Sequence, residues 1–135
     1  MILNFPLLLV PLAVYNLFAF SGGGFDWRGE VFSTTMVSGA AWTMTYGDLI
    51  VLLSLALLFL EVVKATRTGA GSVVDHLLST AVFVGFLVEF LLVANAATST
   101  FFILLVIAFI DVIAGFTVTI SSARRDFTVG PGGQL

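Results

Sequence analysis

The sequence predicts an all-α polytopic membrane protein: an antiparallel four-helix transmembrane bundle with an interfacial helix or loop on its outer side. Three observations carry this. Apolar residues make up 59% of the chain and charged residues only 10%, whereas about a quarter of a soluble domain is charged. Mean hydropathy is +1.15, and a soluble chain of 135 residues cannot bury that much apolar surface. Four stretches also reach the roughly 20 apolar residues that a spanning helix needs.

The first stretch covers about residues 2–20, "ILNFPLLLVPLAVYNLFAF". It lacks the Lys or Arg of a signal-peptide n-region, and its apolar run is long for an h-region. It therefore reads as an uncleaved span, kinked at Pro6 and Pro11. Residues 21–45 form an outer loop. Within it Phe32, Met36, Ala40 and Met44 recur at helical spacing among Ser and Thr. An interfacial amphipathic helix is the favoured reading there, with a re-entrant segment as the alternative. "SGGG" at 21–24 is a hinge. It has no strand–helix context that would make it a nucleotide loop.

Spans two to four cover about residues 46–66, 73–96 and 100–120. Residues 1–121 thus form one four-span domain, and 122–135 a tail expected to be disordered. Lys64 and Arg67 follow the second span, and Arg124 and Arg125 the fourth. Basic residues concentrate on the cytoplasmic side, so both termini are expected there. Trp27, Trp42 and Tyr46 then suit an outer aromatic belt.

The eight acidic residues sort by position. Asp26, Glu30 and Asp126 fall in loop or tail. Thr45 with Asp48, and Ser72 with Asp75, match capping boxes, in which a first-turn acid also suits the helix dipole. Glu61 has Lys64 at i+3 and can pair with it while the lysine snorkels toward the headgroups. Gly47, Ser54 and Glu61 share a heptad face expected to point into the bundle.

Glu89 and Asp111 remain. Counted from the outer ends of their stretches, they lie about seven and eleven residues deep, a difference of about 6 Å. They are expected to face each other near the midplane, with no basic residue in reach. A proton, a cation or another subunit must then neutralise them. The fourteen Phe, Ile, Leu and Val residues of 101–120 outweigh the insertion cost of one aspartate, roughly 2.5–3.5 kcal/mol. Gly85 with Ala81, and Gly115 on the Asp111 and Thr119 face, supply small residues for close helix approach. Asn95 adds a polar group near the end of the third span.

Several chemistries are excluded. With no cysteine and one histidine, thiolate metal sites and bis-histidine haem are absent. Asp75, His76 and Ser79 do not make a triad, because adjacent helical residues point about 100° apart. There is no Walker loop, nucleophile elbow or kinase signature, and no basic face for nucleic acid. No catalytic residue, cofactor or metal is assigned, and the chain reads as non-enzymatic.

The runs "GDLIVLLSLALLFLEVVKATRTG", "DHLLS" and "IDVIAGFTVTISSARRD" resemble small four-span inner-membrane proteins of proteobacteria. The resemblance covers the chain from Gly47 onward and implies location and span count only. Two functions remain as expectations. The first is an accessory or assembly subunit of a larger membrane complex, or a homo-oligomer, with the lipid bilayer and other membrane chains as partners. The second is a proton- or cation-conducting protein using Glu89 and Asp111, with Glu61 nearer the cytoplasmic mouth and Asn95 and Thr119 as further polar groups.

Overall fold

The structure is a computed structural model that describes residues 5–67 and 72–129. The elements are α1 (Leu9–Ala19), β1 (Glu30–Thr35), β2 (Ala41–Thr45), α2 (Tyr46–Arg67), α3 (Ser72–Leu92), a single 3-10 turn (Ala94–Ala96) and α4 (Ser99–Val129). Among the described residues, three helical stretches are long and apolar enough to cross a membrane: Tyr46–Thr66, Val73–Leu92 and Ser99–Val118. This supports a membrane protein. α4 is the central helix and packs on both α2 and α3. The large apolar side chains Leu52, Phe59, Phe102, Phe109 and Ile110 remain exposed, as expected of faces turned to lipid.

The first stretch departs from expectation. Helix α1 has 11 residues, about 16 Å at 1.5 Å each, against a hydrocarbon core of about 30 Å. Pro11 does not kink it. Pro11 sits in the first turn, where its missing N–H would have no intrahelical partner. Before it, the chain turns through Leu9 N–H to Pro6 O (3.0 Å) and Val10 N–H to Leu7 O (3.0 Å). The prolines therefore set where α1 starts.

The outer loop holds no interfacial helix. Residues 30–45 form an antiparallel hairpin, pairing Phe32 with Met44, Ser33 with Thr43, Thr34 with Trp42 and Thr35 with Ala41. Val31, Thr34, Thr35 and Thr43 are β-branched and favour strand. The reversal closes with Met36 N–H to Ala40 O (2.8 Å) and Gly39 N–H to Met36 O (2.9 Å). Gly39 has φ +90°, which residues with a Cβ rarely adopt. The i+4 run of Phe32, Met36, Ala40 and Met44 was coincidental. Two of its members, Phe32 and Met44, are instead cross-strand partners.

At the far end of the chain, α4 continues to Val129. The backbone of 122–129 is therefore helical, against the expectation of a disordered tail. No glycine or proline interrupts the sequence between Gly115 and Gly130. The expected disorder of 130–135 lies outside the described residues.

The core sits between α4 and its neighbours, with Tyr15, Phe86, Phe101 and Leu104 fully enclosed. At the hairpin end, Gly47 brings α2 against α4. A Cβ there would lie 2.8 Å from Thr100 Oγ1 and 3.1 Å from Trp27 O. Thr45 and Asp48 form the capping box of α2: Asp48 Oδ2 accepts from Thr45 N–H (3.0 Å) and Thr45 Oγ1 accepts from Asp48 N–H (3.1 Å).

Candidate functional site

Three helices each send charged side chains to one level of the bundle, toward the end opposite the hairpin. Glu61 and Lys64 lie one turn apart on the inward face of α2. Lys64 Nζ stands 3.2 Å from Glu61 Oε1 and 4.0 Å from Asp75 Oδ1 on α3. It also donates to the carbonyl of Phe5 (2.6 Å). Glu61 accepts the N–H of Leu7 (2.5 Å). The ion pair thus holds the chain just ahead of α1 by one donor and one acceptor. Lysine snorkelling to the headgroups was the expectation. Instead its side chain is only 9% exposed, because Glu61 Oε1 and the Phe5 carbonyl accept from its ammonium group and the Asp75 carboxylate lies close by.

Asp111 on α4 faces this group. It accepts a hydrogen bond from Ser79 and lies within electrostatic reach of Glu61, Lys64 and Asp75. It is 6% exposed. Asp75 was expected to cap α3 with Ser72. Both its carboxyl oxygens are instead buried without a hydrogen-bond partner, because the side chain turns inward toward Lys64. The side chain of Ser72 lies outside the described residues. His76, the residue after Asp75, is packed against α4. Its ring lies edge-on against Phe116, centroids 3.7 Å apart, and a Cβ on Gly115 would come within 3.0 Å of its Nδ1. Both ring nitrogens are buried and unpartnered. Gly115 is therefore small to admit the imidazole.

Within the cluster, three carboxyl groups face one ammonium. Buried charges need partners, because removal from water costs several kcal/mol per ion. The surplus has to be neutralised locally. Among the described residues, no group of three or more histidine and acidic side chains converges to hold a metal ion.

Glu89 belongs elsewhere. α3 stops at Leu92, and Val93 is extended (φ −106°, ψ 120°). Glu89 is thus only three residues from the helix end, while Asp111 is twelve beyond Ser99. At 1.5 Å per residue their depths differ by about 13 Å. The buried side chains Phe86, Leu104, Leu105 and Ala108 belong to the intervening turns. The expected Glu89–Asp111 pair does not form. Lys64 lies within electrostatic range of Asp111, though among the described residues it pairs with Glu61 and Asp75 rather than with Asp111. Glu89 Oε1 accepts from Asn16 Nδ2 of α1 (2.9 Å), and its Oε2 is buried and unpaired.

Nearby, Tyr15 O–H donates to Asn95 O (3.0 Å) and meets Thr98 Oγ1 at 2.7 Å. Asn95 Nδ2 reaches Ala19 O (3.4 Å). Asn95 therefore ties the end of α1 to the α3–α4 connection rather than entering the cluster. Tyr15 also stacks on Trp27, centroids 4.7 Å apart at 6°.

The small residues divide. A Cβ on Gly85 would meet only Leu12 Cδ2 at 3.8 Å, so α1 crosses there without requiring glycine. Ala81 is exposed and takes no part in close packing. The side chain of Thr119 lies outside the described residues. Sequence reasoning missed Ser79 as a partner of Asp111. Ser79 could have been found, as it lies one turn after Asp75 on the same helical face. No protein-family model, curated protein or solved structure matches this chain.

Proposed function

We propose that the chain is a non-enzymatic integral membrane protein, working as a homo-oligomer or as a subunit of a larger membrane complex, in which the cluster of Glu61, Lys64, Asp75 and Asp111 takes up and releases a proton. The observation that carries this is three carboxyl groups and one ammonium enclosed at a single level of the bundle. Ionisable groups inside a membrane are costly and mark functional sites by default. A purely structural tie would need only Glu61 and Lys64. Asp75 and Asp111 go beyond it.

The same geometry counts against conduction through a Glu89–Asp111 relay. About 13 Å of helix rise and enclosed apolar side chains separate the two acids. Exchange would therefore occur with one side only, the side of the α2–α3 connection. By the distribution of Lys and Arg, and by the resemblance to proteobacterial inner-membrane proteins, that side is the cytoplasm.

The test uses reconstituted full-length protein. An infrared difference spectrum across a pH step should show a protonated-carboxyl band that Asp111→Asn removes. Vesicles loaded with a pH-sensitive dye should show no proton flux above protein-free controls. An unchanged spectrum in Asp111→Asn would defeat the proton-site reading. A single chain without companions in mild detergent would defeat the subunit reading.

A further inference from the structure

Two cavities adjoin at the hairpin end, independent of the ionic cluster. One is apolar, of about 370 Å³, formed where α1 and α2 diverge, with Val14, Phe18, Leu49 and Leu53 among its walls. The other is polar, of about 450 Å³, and is lined by Asp26, Arg28, Asp48, Ser99 and Thr100. They share Phe25 and Trp27 as a common wall. Both volumes fall in the roughly 300–1,000 Å³ range of ligand pockets.

Charge in the polar cavity is of both signs. No ion pair or hydrogen bond engages the Arg28 guanidinium among the described residues. Asp26 Oδ1 accepts the Arg28 backbone N–H (3.0 Å), and Asp48 Oδ2 caps α2. Each carboxylate keeps its second oxygen free of described partners. Trp27 and Tyr46 mark the level where hydrocarbon meets headgroups. The apolar cavity therefore suits a chain of methylenes, and the polar one the group that such a chain carries.

From this we infer that the paired cavities bind a phospholipid with a zwitterionic, primary-ammonium headgroup, of the phosphatidylethanolamine type. The phosphate meets Arg28, whose planar fork can hold two of its oxygens. The ammonium donates to the free oxygens of Asp26 and Asp48. An acyl chain fills the cleft between α1 and α2. A choline head has no N–H to donate to those carboxylates. A glycerol head leaves a net negative charge beside them. Charge complementarity thus selects one headgroup.

The experiment places the full chain in vesicles and uses Trp27 as reporter, with Trp42→Phe making it the sole tryptophan. Vesicles contain a brominated-chain phospholipid with an ethanolamine, choline or glycerol head in turn. Quenching of Trp27 should require several-fold less of the ethanolamine lipid than of the others. Arg28→Gln should weaken quenching by all three lipids about fivefold, because each carries the phosphate that Arg28 holds; this is the effect of one cationic side chain near a membrane surface. Asp26→Asn, which keeps the turn acceptor, should bring the ethanolamine and choline lipids together. Equal quenching by all three lipids, a preference for another head, or undiminished quenching in Arg28→Gln overturns the assignment. Arg28 is exposed, so that variant should fold, and its helicity by circular dichroism serves as the check.

Discussion

Replacing Lys64 with methionine isolates what the buried cluster contributes. Methionine keeps the length and apolar stem and removes the charge. Three contacts disappear: Glu61 at 3.2 Å, Asp75 at 4.0 Å and the Phe5 carbonyl at 2.6 Å. Breaking a buried ion pair from one side typically costs about 3–5 kcal/mol. A carboxyl left behind can take up a proton, which limits the loss, and hydrogen bonds inside bilayers average only about 0.6 kcal/mol. The expected destabilisation is therefore about 3 kcal/mol, at the low end of the range. Glu61→Gln should cost about 1 kcal/mol, because the amide oxygen still accepts Leu7 N–H and one surplus negative charge is gone. The double variant should cost at least about 1 kcal/mol less than the sum of the two, since the residues share one interaction. Reversible unfolding by a denaturing detergent, followed by circular dichroism, reads all three. If Lys64→Met stays within about 0.5 kcal/mol of the parent, the lysine head lies among headgroups and the cluster as described does not exist.

Two further outcomes follow from the packing. Gly47→Ala should destabilise by about 1–2 kcal/mol in the same assay despite alanine's better helix propensity, because the new methyl meets Thr100 Oγ1 at 2.8 Å and overpacking costs about 1–3 kcal/mol. Thr100→Ala in the same chain should restore part of the loss, and parental stability in Gly47→Ala alone would contradict the close approach. Tyr15→Phe removes the hydroxyl that joins α1 to Asn95 O and Thr98. It should cost about 1–2 kcal/mol and speed amide exchange in Leu9–Ala19 while leaving Tyr46–Thr66 unchanged. Uniform acceleration in both helices would place that contact elsewhere.

Much of the helical frame was legible. The second and fourth apolar stretches appear as α2 and the membrane-length part of α4, and the third as α3 with an earlier end. Their length and apolarity leave few alternatives. The Thr45–Asp48 cap was legible because its chemistry is local, three residues apart. The first stretch was harder. Composition counts its apolar residues, whereas helix length depends on where Pro6 and Pro11 fall in the turn. The hairpin was missed because a four-residue apolar recurrence can arise by chance in a strand pair. The β-branched residues and Val37-Ser38-Gly39 were the better signal.

By itself, the sequence determined what the bilayer requires: apolar runs of sufficient length, charges at their ends, and a shortage of cations to match the acids within them. These are properties of segments, set by transfer free energy residue by residue. Only the tertiary structure decided which acid meets which partner. Asp111 joins Glu61, Asp75 and Lys64 instead of Glu89 because α3 ends at Leu92 and shifts the depth of Glu89 by several ångströms, and because Lys64 turns inward. Contacts across helices depend on where each helix starts and stops and on the rotamer each side chain takes. Neither is a property of any one segment.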